Sequence, residues 1–542
     1  MKIFNIKLLI PLVSVLVLVS CEKDLLNTEP SNELSNANFW KTQKDALNAV
    51  NAMYAFLPDY NEVEWDRMTD IATTNSPAQQ TVTIERGEHD ASLSRFKSNW
   101  DGGYQAIRAA NYFLENIDKV REEDPSVSQD IINRYKAEVR FVRAFFYVRL
   151  TMLFGNVPLI TRTLNIEESK EITRDPQQQI WDFVATEFDE IKNELPKAYS
   201  GNDIGRITKG AALSMKARAM LYAGRWNEAS VAAKEVMDLG EYELYPNFKD
   251  LFSYEAENSN EIILDRQRAK DVAAHNFFAS HAPVSLNGSV GICPTQTLAN
   301  AYETVNGLPI GEDNSYNPLN PYANRDPRMG YTMFIPTFSD DVPGDVLFNG
   351  QVYDPRPDSG TGDEIEVDFY RTKTGYSIKK YINEEELNDR SNGGVNFILI
   401  RYADVLLMYA EAKIEMGSID QSVYDAINEI RGRNDVNMPA IAQGLSQAEL
   451  RKVVRHERMV ELALEGLRFF DLRRWKTAEN LMKGVIPGMN YIPIGEPTEA
   501  SAIEELTYGG TTRAFNPNRD YLFPIPQEER ILVPSLEQNP NY

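Results

Sequence analysis

The sequence predicts a mainly α-helical protein assembled from paired helices, with a few short strands. Two observations carry this. Apolar residues recur at spacings of three and four through residues 45–240 and again over 398–480. The stretch between them, 241–397, is instead rich in Asn, Asp, Gly and Pro with isolated aromatics, too long for one connection, and reads as loops and short strands laid on the helices. With 542 residues, 42% of them apolar, the chain can bury a large core. Its net charge of −24 would repel nucleic acid, which excludes a general nucleic-acid binder.

From the N-terminus, Lys2 and Lys7 precede an apolar run from Leu8 to Ser20, and Leu18-Val19-Ser20-Cys21 closes it like a bacterial lipobox. The run is too short for a spanning helix. Residues 1–20 are therefore expected to be a signal peptide, with Cys21 acylated and the mature chain held on a membrane by lipid. Residues 22–38 are polar and read as a tether. Loss of Lys2 and Lys7 takes the net charge to −26, and Cys293 becomes the lone thiol.

Helices follow. Leu47, Val50, Tyr54 and Leu57 share one face, and Trp100, Tyr104, Ile107, Asn111 and Leu114 another. Ala137, Phe141, Phe145, Val148 and Met152 mark a third helix, stopped by Gly155 and Pro158; a fourth runs from about Ile180 to Leu195. Two small-residue helices meet at Gly224, where Ala217 to Ala229 is like the turn of a tetratricopeptide repeat, although the 34-residue period is not kept. After the insertion come stripes on Ala403 to Ile414, Val423 to Ile430 and Leu450 to Leu467. The expected antiparallel pairs are 45–57 with 99–117, 131–153 with 176–194, 209–223 with 226–239, and 401–416 with 420–433.

On a helical wheel Leu450, Val453, Glu457, Val460 and Leu464 share a face, which sinks a carboxylate into an apolar stripe. Glu457 and Glu461 could be a catalytic carboxylate pair. The interleaved Arg401, Arg431, Arg468 and Arg473 favour a structural ion-pair network instead. His456 has no second histidine at position 460 and is not an HExxH ligand. No cofactor or metal motif is present.

Taken in order, several blocks resemble the SusD/RagB family. They include Cys21-Glu-Lys-Asp-Leu-Leu, the Trp100 to Asn111 pattern, Ala137 to Tyr147 with Phe154-Gly-Asn-Val-Pro-Leu159, and Arg325-Asp-Pro-Arg328. Others are Ile400 to Ala412, Ile430-Arg-Gly-Arg433, Glu465 to Trp475, Tyr521 to Gln527 and Gln538-Asn-Pro540. Asn541 stands where the closing motif commonly has glycine, and Val533 where asparagine is usual before Pro534. The resemblance implies one domain over 39–542: tetratricopeptide-like pairs forming a scaffold (39–240 and 398–480), a loop-rich opposite face built from the 241–397 insertion, and an extended tail over 481–542. It also implies a cell-surface lipoprotein of a Gram-negative outer membrane that partners a SusC-type TonB-dependent transporter and captures an oligosaccharide or similar nutrient without cleaving it.

The family blocks are scaffold and do not name the ligand, so the binding residues are argued from chemistry. A sugar presents an apolar C–H face and a hydroxyl rim, which calls for aromatic platforms beside polar groups. Candidates on expected loops are Trp65 with Arg67, Phe96, His275, Phe277, Phe278 and Tyr316; Trp100 and Tyr302 are set aside as scaffold. The acidic chain favours a neutral glycan over a polyanionic one, with Arg67 and Arg95 leaving an exception open. A lipid-anchored glycoside hydrolase and a helical-repeat protein adaptor are the alternatives. The hydrolase lacks nucleophile, metal and nucleotide motifs, although its carboxylates are too many to exclude a pair.

Overall fold

The computed structural model describes residues 39–365 and 369–542; Cys21, the signal segment and the tether lie outside the described residues. The expected helices form: α1 (Gln43–Tyr54), α2 (Ser94–Asn116), α3 (Gln129–Phe154), α4 (Gln177–Ile191), α5 (Lys209–Tyr222), α6 (Trp226–Asp238), α7 (Tyr402–Glu415), α8 (Gln421–Arg431) and α9 (Gln447–Glu461), followed by the short α10 (Arg468–Arg474) and α11 (Gln527–Leu532). Their starts are chemically marked. Thr42 and Asp45 close a capping box on α1, Ser446 and Glu449 one on α9, and the Ser128 and Thr208 hydroxyls accept from the first turns of α3 and α5.

From α2 onward each helix packs on the next: α2 on α3, α3 on α4, α4 on α5, α5 on α6. The chain then leaves for the insertion and returns as α7, which packs on α6 and carries α8 and α9. Residues Gly210–Leu221 of α5 are buried all round, and their small side chains are what let α5 sit among its neighbours. Even its charges are spent inward. Lys216 bonds Asp189 at 2.6 Å, and Arg218 bonds Asp404 at 2.8 Å.

Two expectations need correcting. The 45–57 helix touches 99–117, but the larger partner of α2 is α3, because α1 is short and lies against both. The 450–467 stripe is not one helix either: α9 ends at Glu461, and Leu464 and Gly466 take positive φ before α10 turns away.

The strands are few and pair antiparallel: β1 (Ala72–Thr73) with β3 (Cys293–Pro294), β2 (Ile262–Arg266) with β6 (Phe397–Arg401), β4 (Met333–Phe334) with β5 (Ser377–Ile378), and β7 (Gly484–Tyr491) with β8 (Glu504–Arg513). The β2–β6 pair ties both ends of the insertion to the helices. The β7–β8 hairpin sits in the segment expected to be an extended tail, and its Met489 and Tyr491 pack into the insertion's own core with Phe248, Tyr302, Tyr353 and Tyr381. A separate, larger core lies among the helices.

Candidate functional site

Most rings expected to meet a sugar are instead in the core, and the reason lies in what their loops pack against. Trp65 belongs to the 3-10 helix Tyr60–Met68 and is 3% exposed, wedged against Phe469, Phe470 and Phe523, with Arg95 and Arg149 over its ring at 5.0 and 5.6 Å. Phe96 is inside α2 and meets Phe523 at 4.5 Å. Arg67 is buried beside Glu64, 3.3 Å away. His275 and Phe277 form a second group with Tyr60, His281 and Tyr381, and Phe278 is buried in the same apolar core. Burial pushes the His275 imidazole down to about 4, so it is neutral, and its Nε2 lies 3.1 Å from the Val395 carbonyl. These six side chains are buried, with Arg67 lying between the Trp65 group, through Glu64 and Arg95, and His281 of the second group, and they present no open platform. Tyr316 alone of the set is half-exposed, with the Arg325 guanidinium 5.6 Å from its ring centre. Trp100 and Tyr302 are buried, in keeping with their assignment to the scaffold.

The carboxylates of α9 are also inside, and arginines saturate them. Arg328 reaches Glu457 at 2.5 Å and Glu461 at 2.8 Å, while Arg431 bonds Glu457 at 3.0 Å. Arg401 and Arg433 close on the other oxygen of Glu461 at 2.8 and 2.9 Å. The same Arg401 takes Glu261 and Glu465, and Lys380 completes the network on Glu465. Burial alone would raise the Glu461 carboxyl, but Arg401, Arg433 and Arg328 together hold it far below the usual carboxylate range. Of the four arginines expected here, Arg401 and Arg431 take part. Arg468 instead grips Asp70 at 2.8 Å, and Arg473 lies over the Phe469 ring at 3.4 Å. The Glu457–Glu461 pair is thus a clamp joining α9 to α8, β6 and the Arg325-Asp-Pro-Arg328 segment.

Among the described residues, two of the open concave surfaces are large enough to consider for a ligand. The larger is a groove of about 1100 Å³ between α2, the 160–172 loop and α11, walled by Trp100, Tyr104, Ile107, Ile172, Leu532 and Leu536. Most of its surface is apolar, and Asp101, Gln105, Arg108, Arg162, Asn165 and Lys170 also line it. The smaller is a cleft of about 540 Å³ on the insertion, lined by Thr337, Ser339, Asp340, Gln351, Asp354, Arg356 and Thr361, with Pro343 and Val352 at its edge. Its frame is Arg356, 4% exposed, which forks onto Asp354 at 2.9 and 2.8 Å and onto Asp340 at 2.9 Å. The guanidinium also donates to the Ile492 carbonyl at 3.1 Å, so the β7–β8 hairpin braces the cleft from behind. The Gly495 N–H and Arg356 hold the Asp340 carboxyl below its ordinary range. An ionised, rigidly held carboxylate beside hydroxyls, an amide and a small apolar edge can bind a polyhydroxylated ligand. None of the residues expected to meet a sugar lines it. The signal was the run of Asp, Thr, Ser and Gly turns over 337–362. Among the described residues, no cluster of three or more His, Cys, Asp or Glu could hold a metal ion, and no helix is long and apolar enough to cross a membrane.

Comparison with known proteins agrees with this architecture along nearly the whole chain. A SusD-like protein of Bacteroides fragilis, described as carbohydrate binding, is 29% identical with a TM-score of 0.82, over 92% of this chain and all of that one. A second from the same organism is 26% identical with a TM-score of 0.79, over 95% of this chain and all of that one. SusD-like protein P2 of Formosa agariphila is 24% identical over 98% of both chains. A family described as starch-binding and associating with the outer membrane matches residues 24–221. The SusD family itself matches residues 251–542, more than half of the sequence, and takes in the insertion with its cleft, the α9 clamp and the tail hairpin: the chain belongs to the SusD family.

Proposed function

We propose that this protein is a cell-surface lipoprotein that captures a glycan and hands it to a SusC-type TonB-dependent transporter without cleaving it. Membership of a carbohydrate-binding family supports the glycan, and the observation that carries it on this chain is the rigid, hydroxyl- and carboxylate-lined cleft on the insertion. The α9 carboxylates, the pair first suspected of acid–base chemistry, are consumed by arginines and line neither the cleft nor the groove. Calorimetry of the lipid-free chain against a glycan panel, with reducing ends measured after overnight incubation, tests both halves. Binding with no new reducing ends is the expected result; steady release of reducing ends would replace this reading with a hydrolase, and absence of any glycan affinity would favour the adaptor.

The lipobox ending at Cys21 supports anchoring in the outer membrane. The parent should fractionate with membranes and, after detergent extraction, co-purify with a transporter barrel, whereas Cys21→Ala should become soluble or keep its signal segment. A processed Cys21→Ala chain that stays on membranes through high salt would rule out this anchor.

A further inference from the structure

We infer that the cleft is an acceptor site: it selects a neutral glycan through hydroxyl donors to Asp340 and Asp354, with Gln351 at its mouth, and turns away uronate and sulfated sugars. This rests on the glycan-binding reading and adds to it the ligand's charge class and the residues that read it.

Among the described residues Arg356 is the single cation lining the cleft, and four of its five N–H donors are used: Nε and Nη2 go to Asp354, Nη2 also to Asp340, and Nη1 to the Ile492 carbonyl. A buried guanidinium so engaged cannot fork onto a ligand carboxylate or sulfate. The hydroxyls are also largely committed. Thr337 Oγ1 donates to the Tyr353 carbonyl at 3.1 Å and accepts from the Gly344 N–H, Thr361 Oγ1 donates to the Asp354 carbonyl at 2.6 Å, and Ser339 Oγ lies 3.1 Å from Thr498 Oγ1.

What stays open is acceptor capacity. Each carboxylate oxygen has two lone pairs. Asp340 Oδ1 is used once by Arg356 and Oδ2 once by the Gly495 N–H at 3.1 Å, which leaves one lone pair on each oxygen of a side chain that is half exposed. Asp354 Oδ1 is filled by the Arg356 N–H and Nε, while Oδ2 keeps one lone pair. The Gln351 side-chain amide is exposed and makes no protein hydrogen bond among the described residues. Val352, 40% exposed, and Pro343 supply an apolar edge for a sugar C–H face.

The surroundings add to the bias. Asp341 accepts from Thr498 at 2.8 Å, Glu364 accepts the Asp358 and Gly360 N–H groups, and nearby Lys379 is paired with Asp345 at 2.8 Å. An anionic sugar entering here meets carboxylates and, among the described residues lining the cleft, no cation but the engaged Arg356; a neutral one meets unfilled acceptors. A charge-assisted hydrogen bond from a hydroxyl to a carboxylate is stronger than a neutral one, so Asp340 should dominate the affinity.

The test titrates the lipid-free chain by calorimetry with soluble starch, β-1,3-glucan, xylan and galactan, and with polygalacturonate as the anionic probe, for the parent, Asp340→Asn and Gln351→Ala. Gln351 has no structural partner, so that variant reports on binding even if Asp340→Asn disturbs Arg356. The parent should bind at least one neutral glycan and prefer it to polygalacturonate. Asp340→Asn should weaken the neutral ligand about tenfold and narrow the preference, and Gln351→Ala should weaken it severalfold with an unchanged Tm. If the parent binds a glycan and both variants match it, the cleft is not the site while the glycan-binding reading survives. A parent preference for polygalacturonate overturns the charge selectivity. No affinity for any probe removes the glycan-binding reading itself.

Discussion

Glu461→Gln is expected to destabilise the folded chain by about 3–5 kcal/mol, the range for removing one partner from a buried charge cluster. The carboxylate is fully buried between Arg328, Arg401 and Arg433. Those guanidiniums stay charged when it is neutralised, so three cations remain in the core with Asp326, Glu457, Glu261 and Glu465 to share. The loss should show as a lower urea midpoint with an unchanged slope. The pH dependence identifies the cause. Glu461 titrates below its unfolded value of about 4.3. Its contribution is therefore complete above that pH and disappears as pH falls toward the lower folded value. The gap between parent and Glu461→Gln should be constant from about pH 5 upward and shrink in acid. A gap that does not change with pH would mean the loss comes from packing rather than charge. Glu457→Gln, which frees Arg328 and Arg431, should move in the same direction with glycan affinity of the folded fraction intact.

The same cluster shows what the sequence could and could not reveal. Helical periodicity located α1 to α9 because a helix that buries one face must repeat its apolar residues near every 3.6 positions. It also put Glu457 inside, and burial then demanded cations. Arg401 and Arg431 were among the cations expected and take part, but Arg328 and Arg433 could not be read, because Arg328 arrives from the insertion 129 residues away and Arg433 from the turn after α8. Local pattern carries no information about such pairings. The β7–β8 hairpin was missed for a related reason: its register shifts and exposed residues blur the alternation that marks a strand.

The candidate binding surface was the least legible part. Trp65, Phe96 and Phe277 lie in or beside segments without long apolar stripes, and an aromatic there serves equally as a ligand platform or as the plug that fastens a loop to its scaffold. Trp65 is such a plug: its ring closes on Phe469 and Phe470 at 4.9 and 5.3 Å. The cleft on the insertion has no aromatic wall and is built by Arg356 aligning two aspartates across 14 residues of loop, a geometry that only the folded chain reveals.

Gly466→Ala is expected to cost about 1–3 kcal/mol more than Gly444→Ala, although both replace a glycine of nearly equal positive φ, +80° and +76°. The shared part is backbone strain, about 1–2 kcal/mol for an L-residue in the left-handed region. At Gly444 a methyl group meets nothing within 4 Å. At Gly466 it would stand 2.2 Å from the Glu62 carbonyl oxygen and 2.9 Å from its carbon, so main chain must move. That main chain is the 3-10 helix holding Trp65 under α10, and it is pinned on several sides. The Gly466 N–H donates to Asp66 at 3.0 Å and the Arg468 N–H at 3.2 Å, while Glu62 holds Arg149 at 2.6 Å. Any shift that admits the methyl stretches these bonds and unseats the Trp65 ring, and such forced displacement in a packed region costs about 1–3 kcal/mol beyond strain. Urea denaturation of the two variants beside the parent measures the difference directly, and Trp65 fluorescence should change for Gly466→Ala alone. Equal losses at the two positions would mean that the 3-10 helix yields freely and that Gly466 is required only for its φ, not for the close passage of Glu62.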